Sequence, residues 1–182
     1  MPTAASGQAI LVENDDKTHG DHLYAAADRG AFYMSTMAIT MAASAAAKVV
    51  GQTQSSAGAA VAQTGKGGMT VDKDAGTFTI DKPGDYELGL CGRVVGEEDE
   101  DVTLEWQKNG TNLNAPHQET IEFDATGGVQ ALNQRISRAT VVEGLKKGDV
   151  IAVNVLGSND EVITFNDFYI SVKQVGSANY DD

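Results

Sequence analysis

The chain has 182 residues, with 26 acidic and 13 basic side chains and a formal net charge of −13 at pH 7. This length suits one β domain with an additional segment, and the charge argues against binding nucleic acid, which requires clustered lysine and arginine. Cys91 is the single cysteine, which excludes an internal disulfide, so the chain is compatible with folding in a reducing cytosol.

The beginning of the chain carries no basic region followed by a long apolar one, so we expect no signal peptide. The most apolar stretch, residues 37–50, is interrupted by Thr40, Ser44 and Lys48. It is too short and too polar to span a bilayer, and we therefore expect no membrane partner.

Residues 1–29 differ from the rest of the chain and predict an extended N-terminal arm. Two short apolar patches flank a polar spacer: Ile10, Leu11 and Val12, then Leu23 and Tyr24. Such patches cannot close a core of their own, so we expect them to dock on a sister subunit or on another protein. A disordered tail is the alternative, because termini are often poorly ordered.

Residues 31–41 alternate loosely between apolar and polar and predict a strand, and residues 48–51 predict the end of another. The alanine-rich residues 42–47 have high helix propensity, so a short helix competes with extended chain there. Residues 52–68 are the least determined part of the domain. Gly65 and Lys66 superficially suggest a phosphate loop, but the spacing is wrong and no serine or threonine follows the lysine.

Residues 76–110 carry the clearest pattern. Apolar side chains occupy every second position in three successive runs, after a possible short strand at residues 69–72. Pro83-Gly84 and Asn109-Gly110 are turn signals, the second being the strongest short hairpin signal. Three successive runs in which every second side chain is apolar predict half-buried antiparallel strands. The acidic residues 97–101 lack calcium-loop spacing and predict a solvated hairpin tip.

Further strands are predicted at residues 120–123, 129–142, 150–156 and 161–175. Arg135 and Arg138 lie on opposite faces of their strand, so we expect one in solvent and the other in an ion pair. The last strand changes parity between Phe165 and Phe168, which predicts a β-bulge near Asn166 and Asp167. The whole pattern predicts an all-β, two-sheet antiparallel jelly-roll sandwich at residues 30–176, followed by an acidic tail at 177–182.

No constellation of residues specifies a chemistry. His19 and His22 have H-x-x-H spacing without further ligands, and His117 is isolated, so we expect no metal site and no cofactor. No nucleophile elbow occurs and no carboxylate pair stands out, so we do not expect an enzyme. Cys91 is expected to be a small buried hydrophobe rather than a reactive thiol. Trp106 is expected in the core, although stacking on a sugar is the alternative.

Several stretches, in order and spacing, resemble the jelly-roll modules of the tumour-necrosis-factor and complement-head type that are common in tailed bacteriophages. They are residues 31–35, 48–51, 76–80, 83–86, 108–111, 145–149, 163–166 and 169–172. The resemblance covers about residues 30–175. It implies a ten-stranded, two-sheet jelly roll and a trimer in which one sheet of each subunit packs around a threefold axis.

The resemblance further implies a structural virion protein: a homotrimeric capsid decoration, or cement, protein. Such a protein would lie on the outer surface of the capsid after assembly in the host cytoplasm. The arm would clamp neighbouring major capsid protein subunits. A receptor- or carbohydrate-binding module at a fibre or tail tip is the alternative. Because aromatic side chains on an outer sheet face favour burial, we expect trimer contacts at Phe32, Tyr33, Trp106 and Tyr169; which face meets the axis is left open.

Overall fold

A computed structural model describes residues 29–40, 46–50, 61–66, 69–97, 100–123, 133–157 and 162–177 of the chain. Several predicted features lie outside these described residues. They are the capsid-binding residues Ile10, Leu11, Val12, Leu23 and Tyr24, the pair His19 and His22, and residues 178–182 of the acidic tail.

Within the described ranges the chain forms twelve strands and no helix. In chain order they are β1 (Arg29–Thr40), β2 (Ala46–Lys48), β3 (Val61–Lys66), β4 (Met69–Asp72), β5 (Thr77–Ile80), β6 (Gly84–Val95), β7 (Glu100–Lys108), β8 (Thr111–Asn112), β9 (Gln118–Phe123), β10 (Asn133–Leu145), β11 (Val150–Gly157) and β12 (Val162–Ser177). The segment that the sequence left undetermined contains β3, and residues 46–48 are strand rather than helix.

The strands form two antiparallel sheets. The five-stranded sheet has the order β10-β6-β12-β1-β3, and the seven-stranded sheet follows the path β4-β5-β11-β7-β8. In the second sheet β2 also pairs with β11, and β9 with β7. The described strand pairs are all antiparallel. The predicted all-β, two-sheet antiparallel architecture is therefore confirmed.

Alternation of side chains along each strand builds the core between the sheets. In β7, Val102, Leu104 and Trp106 are buried while the residues between them are not, because successive side chains point to opposite faces. β7 then turns into β8 through Asn109 (φ 53°) and Gly110 (φ 78°). Two successive positive φ angles match the two-residue hairpin turn expected for Asn-Gly.

The two sheets meet through large side chains. The ring of Phe32 from β1 lies 4.5 Å from that of Phe78 in β5, centroid to centroid. Phe32 is 1% exposed and Trp106 is 2% exposed. The expectation that Trp106 belongs to the core is confirmed. The expectation that Phe32 and Trp106 lie on an outer face and contact sister subunits is wrong, because both side chains point between the sheets of their own chain.

The predicted β-bulge is present in β12. The pairing of β12 with β6 shifts register between Asn166 and Tyr169, and Asp167 has a positive φ of 47°. On β1, which pairs with β12 at this level, the buried positions change parity as well, from Met34 to Met37. The irregularity thus crosses neighbouring strands of the sheet and locally changes which side chains face outward.

Candidate functional site: the outer face of the five-stranded sheet

Exposed apolar side chains mark one sheet of the sandwich. Among the described residues, five large hydrophobic side chains are 41–50% exposed. All five lie on strands of the five-stranded sheet: Tyr33, Val141, Val162, Tyr169 and Val175. Because they alternate with core residues, they belong to the side of that sheet that faces away from the core, which we call the outer face.

A row of small residues crosses the middle of the outer face. Ala31, Ser171, Gly89 and Ala139 are successive partners on β1, β12, β6 and β10. A Cβ atom on Gly89 would lie 2.6 Å from the Ser171 hydroxyl oxygen, so a side chain there would require Ser171 to rotate. The row gives the sheet a low, flat floor on which another surface can lie close to the backbone.

Two tyrosines stand beside this floor. Tyr33 and Tyr169 are direct partners on β1 and β12, and Tyr169 in turn pairs with Cys91 on β6. The Tyr33 hydroxyl donates a hydrogen bond of 3.1 Å to Asp167 Oδ1. This bond, with partial desolvation and the negative charge of Asp167, raises the pKa of Tyr33. Tyr33 therefore presents a protonated phenol at neutral pH.

Charge on the outer face is balanced, although the chain is strongly acidic. Its described charged side chains are four basic and four acidic ones: Arg29, Arg93, Arg135 and Lys173, with Asp85, Glu87, Glu143 and Asp167. The whole chain has a net charge of −13. Most of the negative charge therefore lies elsewhere, and two outer faces repel each other less than two average surfaces of this protein.

The opposite side of the molecule is polar. On the seven-stranded sheet the outward side chains hydrogen-bond to one another: Thr103 with Thr120 at 3.0 Å, and Asn112 with Glu105 at 2.7 Å. Gln107 donates to Asn112 at 2.7 Å. These side chains satisfy one another or water, so this face does not gain by burial as the outer face of the five-stranded sheet does.

An open depression of about 370 Å³ lies on the outer face, next to the bulge. It is lined by Cys91, Gly92, Arg93, Arg135, Ile136, Ser137 and Asp167. Arg93 and Arg135 are directly opposite each other on β6 and β10. Two like charges in that position repel each other.

The structure brings together only part of the predicted interface. Tyr33 and Tyr169 are neighbours on the outer face, whereas Phe32 and Trp106 are buried elsewhere. Cys91 lies on the same face as Glu87, as the alternation predicted, but it is exposed rather than buried. Sequence reasoning missed the row of small residues, because its members come from four separate strands and only the strand order brings them together.

Metal-ligating side chains do not cluster in the described part of the chain. In the described ranges no group of three or more His, Cys, Asp or Glu side chains lies close enough to hold a metal ion. His117 Nδ1 lies 3.0 Å from the Thr140 hydroxyl oxygen, in a contact between the two sheets. Nor does any helix of sufficient length and apolarity to cross a membrane occur in the described part of the chain.

No protein-family model matches the chain, and no curated protein matches it either. Among solved structures, it is similar to Eiger TNF from S. frugiperda, with a TM-score of 0.51 and 11% sequence identity. The likeness covers 86% of this chain and 98% of that one. At this identity the similarity concerns the fold alone: the chain has a TNF-like jelly-roll fold.

Proposed function

We propose that this protein is a structural subunit that forms homotrimers through the outer face of the five-stranded sheet. The observation that carries the proposal is that all five exposed large hydrophobic side chains of the described chain lie on this one sheet. Burial of apolar surface stabilises an interface by about 25 cal/mol per Å². The flat floor of small residues lets a second surface approach closely enough to exclude water from the tyrosines.

The charge of the outer face favours a second copy of the chain as the partner that binds there. Each copy has a net charge of −13, so association through most of its surface brings like charges together. The outer face carries both signs in equal number and avoids this repulsion. The choice of three copies, rather than two, rests on the resemblance of the sequence to trimeric jelly-roll modules.

We further propose that the trimer is a capsid decoration protein of a tailed phage. Two features of the sequence support this role: the resemblance to phage jelly-roll modules, and the two apolar patches of residues 1–29. One trimer presents three such arms on a common base. Even weak arm contacts then become effective together, because the second and third contacts form at a high effective concentration.

The first experiment measures the oligomer and maps it to one face. Sedimentation of the purified protein should give about 57 kDa, three times the chain mass of 19.1 kDa. Ala139→Glu places a charge on the floor of the outer face and should yield monomers. Gln118→Glu adds the same charge at an exposed position on the seven-stranded sheet and should remain trimeric. Monomeric wild type, or equal effects of both variants, would refute the proposed interface.

The role on the capsid needs its own measurement. A stained gel of purified virions from the phage that encodes the chain should show it in an amount comparable to the major capsid protein. A few copies per particle would instead indicate a fibre or tail tip and the alternative role in receptor or carbohydrate binding. Trp106, the side chain considered for stacking on a sugar, is buried in the core.

A further inference from the structure

We propose that the depression beside the bulge binds a multiply charged oxyanion of the phosphate class, held between Arg93 and Arg135. No part of the proposed function requires such a site. The depression is formed within a single chain by β6, β10 and β12, but it opens on the outer face, so in the proposed trimer a bound anion would be enclosed between subunits.

The first step is the geometry of the two arginines. Arg93 and Arg135 are direct partners in the antiparallel pairing of β6 and β10. Opposed side chains in such a pair have Cβ atoms about 4.5–5.5 Å apart, and like charges there are destabilising. An anion that lies between the two guanidinium groups would relieve this repulsion.

The second step is that no described carboxylate forms an ion pair with either arginine. The ion pairs of the described residues leave both Arg93 and Arg135 without a carboxylate within 4.0 Å. Asp167 lines the same depression, but its Oδ1 atom accepts the hydrogen bond from Tyr33. Arg138, on the opposite face of β10 from Arg135, shows the contrast: its Nε lies 3.3 Å from Glu119 Oε2.

The third step is the shape of the site. Gly92 lines the depression where the bulge of β12 approaches β6, and a Cβ there would lie 2.6 Å from Phe168 Cα. The depression's volume of about 370 Å³ exceeds the ~30 Å³ share of one water molecule many times over. An oxyanion with its hydration shell, or one attached to a larger molecule, therefore fits.

The chemistry of the lining selects the class of ligand. Guanidinium groups bind phosphate and carboxylate oxygens in paired, charge-assisted hydrogen bonds. Two of them, with the Ser137 hydroxyl at the same rim, match an anion that has at least three acceptor oxygens and two negative charges. A single carboxylate would neutralise one guanidinium and leave the other unpaired.

The test is calorimetric titration of the full-length protein with inorganic phosphate at constant ionic strength, with chloride as the control anion. Wild type should bind phosphate saturably. Arg93→Gln and Arg135→Gln should each weaken binding about 10-fold or more, because each removes a charged hydrogen-bond donor. Arg138→Gln removes the same charge from the opposite face of β10 and should bind phosphate as wild type does.

Three results would overturn the proposal. The first is no saturable heat with wild type, and the second is equal binding by all three variants, which would indicate general screening by salt. The third is a loss of the trimer in Arg93→Gln and Arg135→Gln together with no binding of phosphate by wild type. This result would mean that the arginines pair with carboxylates of a sister subunit. Sedimentation of the same samples reports the oligomer separately, so failure of the trimer and failure of the anion site are distinguished.

Discussion

At the scale of single residues, Asp149 joins two turns at one end of the sandwich. Its carboxylate accepts hydrogen bonds from the Lys146 backbone N–H at 2.8 Å and from Asn109 Nδ2 at 2.9 Å. Lys108 Nζ lies 2.9 Å from Oδ2. Burial by itself raises the pKa of Asp149, but these bonds and the charge of Lys108 outweigh it and hold the pKa below its ordinary value of 3.8. The ionised form therefore stabilises the fold.

This arrangement predicts a stability that depends on pH. Asp149→Asn should lower the free energy of unfolding at pH 7 by about 1.5–3 kcal/mol, because it removes charged hydrogen bonds in a partly buried site. A lowered pKa gives stability that is present above the ordinary value of 3.8 and is lost as pH falls through the folded-state value. Urea unfolding should thus show a smaller difference between variant and wild type at about pH 3 than at neutral pH.

Asp74→Asn is the matched control for this measurement. Asp74 also pairs with a lysine, Lys73, but its side chain is 85% exposed. Surface pairs of this kind contribute little, so the control should unfold within about 0.5 kcal/mol of wild type. A loss in Asp149→Asn that is the same at both pH values would contradict the role given to its charge.

Individual residues also show what the sequence could predict. Arg135 and Arg138 were expected on opposite faces, one in solvent and one in an ion pair, and the structure confirms this with the contact between Arg138 and Glu119. Because side chains alternate along a strand, the sequence alone shows that these two residues lie on opposite faces. Cys91 was assigned to the right face but wrongly to the interior, because the period of one strand does not say which face the second sheet covers.

At the scale of strands, the bulge in β12 organises the outer face. The sequence revealed it because Phe165 and Phe168, both buried, have opposite parity. The sequence of β12 alone did not reveal the partner that makes the bulge possible. That partner is Gly92 on β6, whose φ of 152° and contact with the Phe168 backbone leave no space for a side chain.

We therefore predict that Gly92→Ala destabilises the protein more than Gly110→Ala does. Both glycines have positive φ, where alanine is strained by about 1–2 kcal/mol. A Cβ on Gly110 would meet nothing within 4 Å, so its substitution should add only that strain, whereas a Cβ on Gly92 would meet backbone atoms at 2.6 and 2.8 Å. Crowding of this kind adds about 1–3 kcal/mol.

Chemical denaturation of the two glycine variants, side by side with wild type, measures the difference. The denaturant midpoint should fall further for Gly92→Ala, with the same slope as wild type if the native state keeps its compactness. Equal midpoints for the two variants would mean that the bulge relaxes around the new methyl group, and that its geometry is not fixed by Gly92.

At the scale of the whole molecule, the two sheets present unlike surfaces. Exposed Tyr33 and Tyr169 lie on one, and the hydrogen-bonded Thr103 and Glu105 lie on the other. The sequence predicted the sandwich because strand periods and turn residues are local. It could not predict which face lacks a partner, since that depends on the order of strands far apart in the chain, and so it assigned the buried Phe32 and Trp106 to the interface.

The N-terminal arm is predicted to be needed for binding to the capsid but not for forming the trimer. Because β1 begins at Arg29, a deletion of residues 1–28 leaves every described strand intact, and the truncated protein should remain a trimer by sedimentation. If the apolar patches grip the coat, it should no longer bind phage particles stripped of the decoration protein, in a co-sedimentation assay. Leu11→Asp should weaken binding in the same way, because a charge in the first patch opposes its burial.

Asp16→Asn, in the polar spacer between the patches, is the control and should bind as wild type does. In the proposed trimer three arms would act together, so partial weakening of every arm would be amplified into a large loss of avidity. Normal binding by the truncated trimer would show that the jelly roll itself contacts the shell. The polar seven-stranded face would then be the surface to mutate, since the outer face of the other sheet is occupied in the proposed trimer.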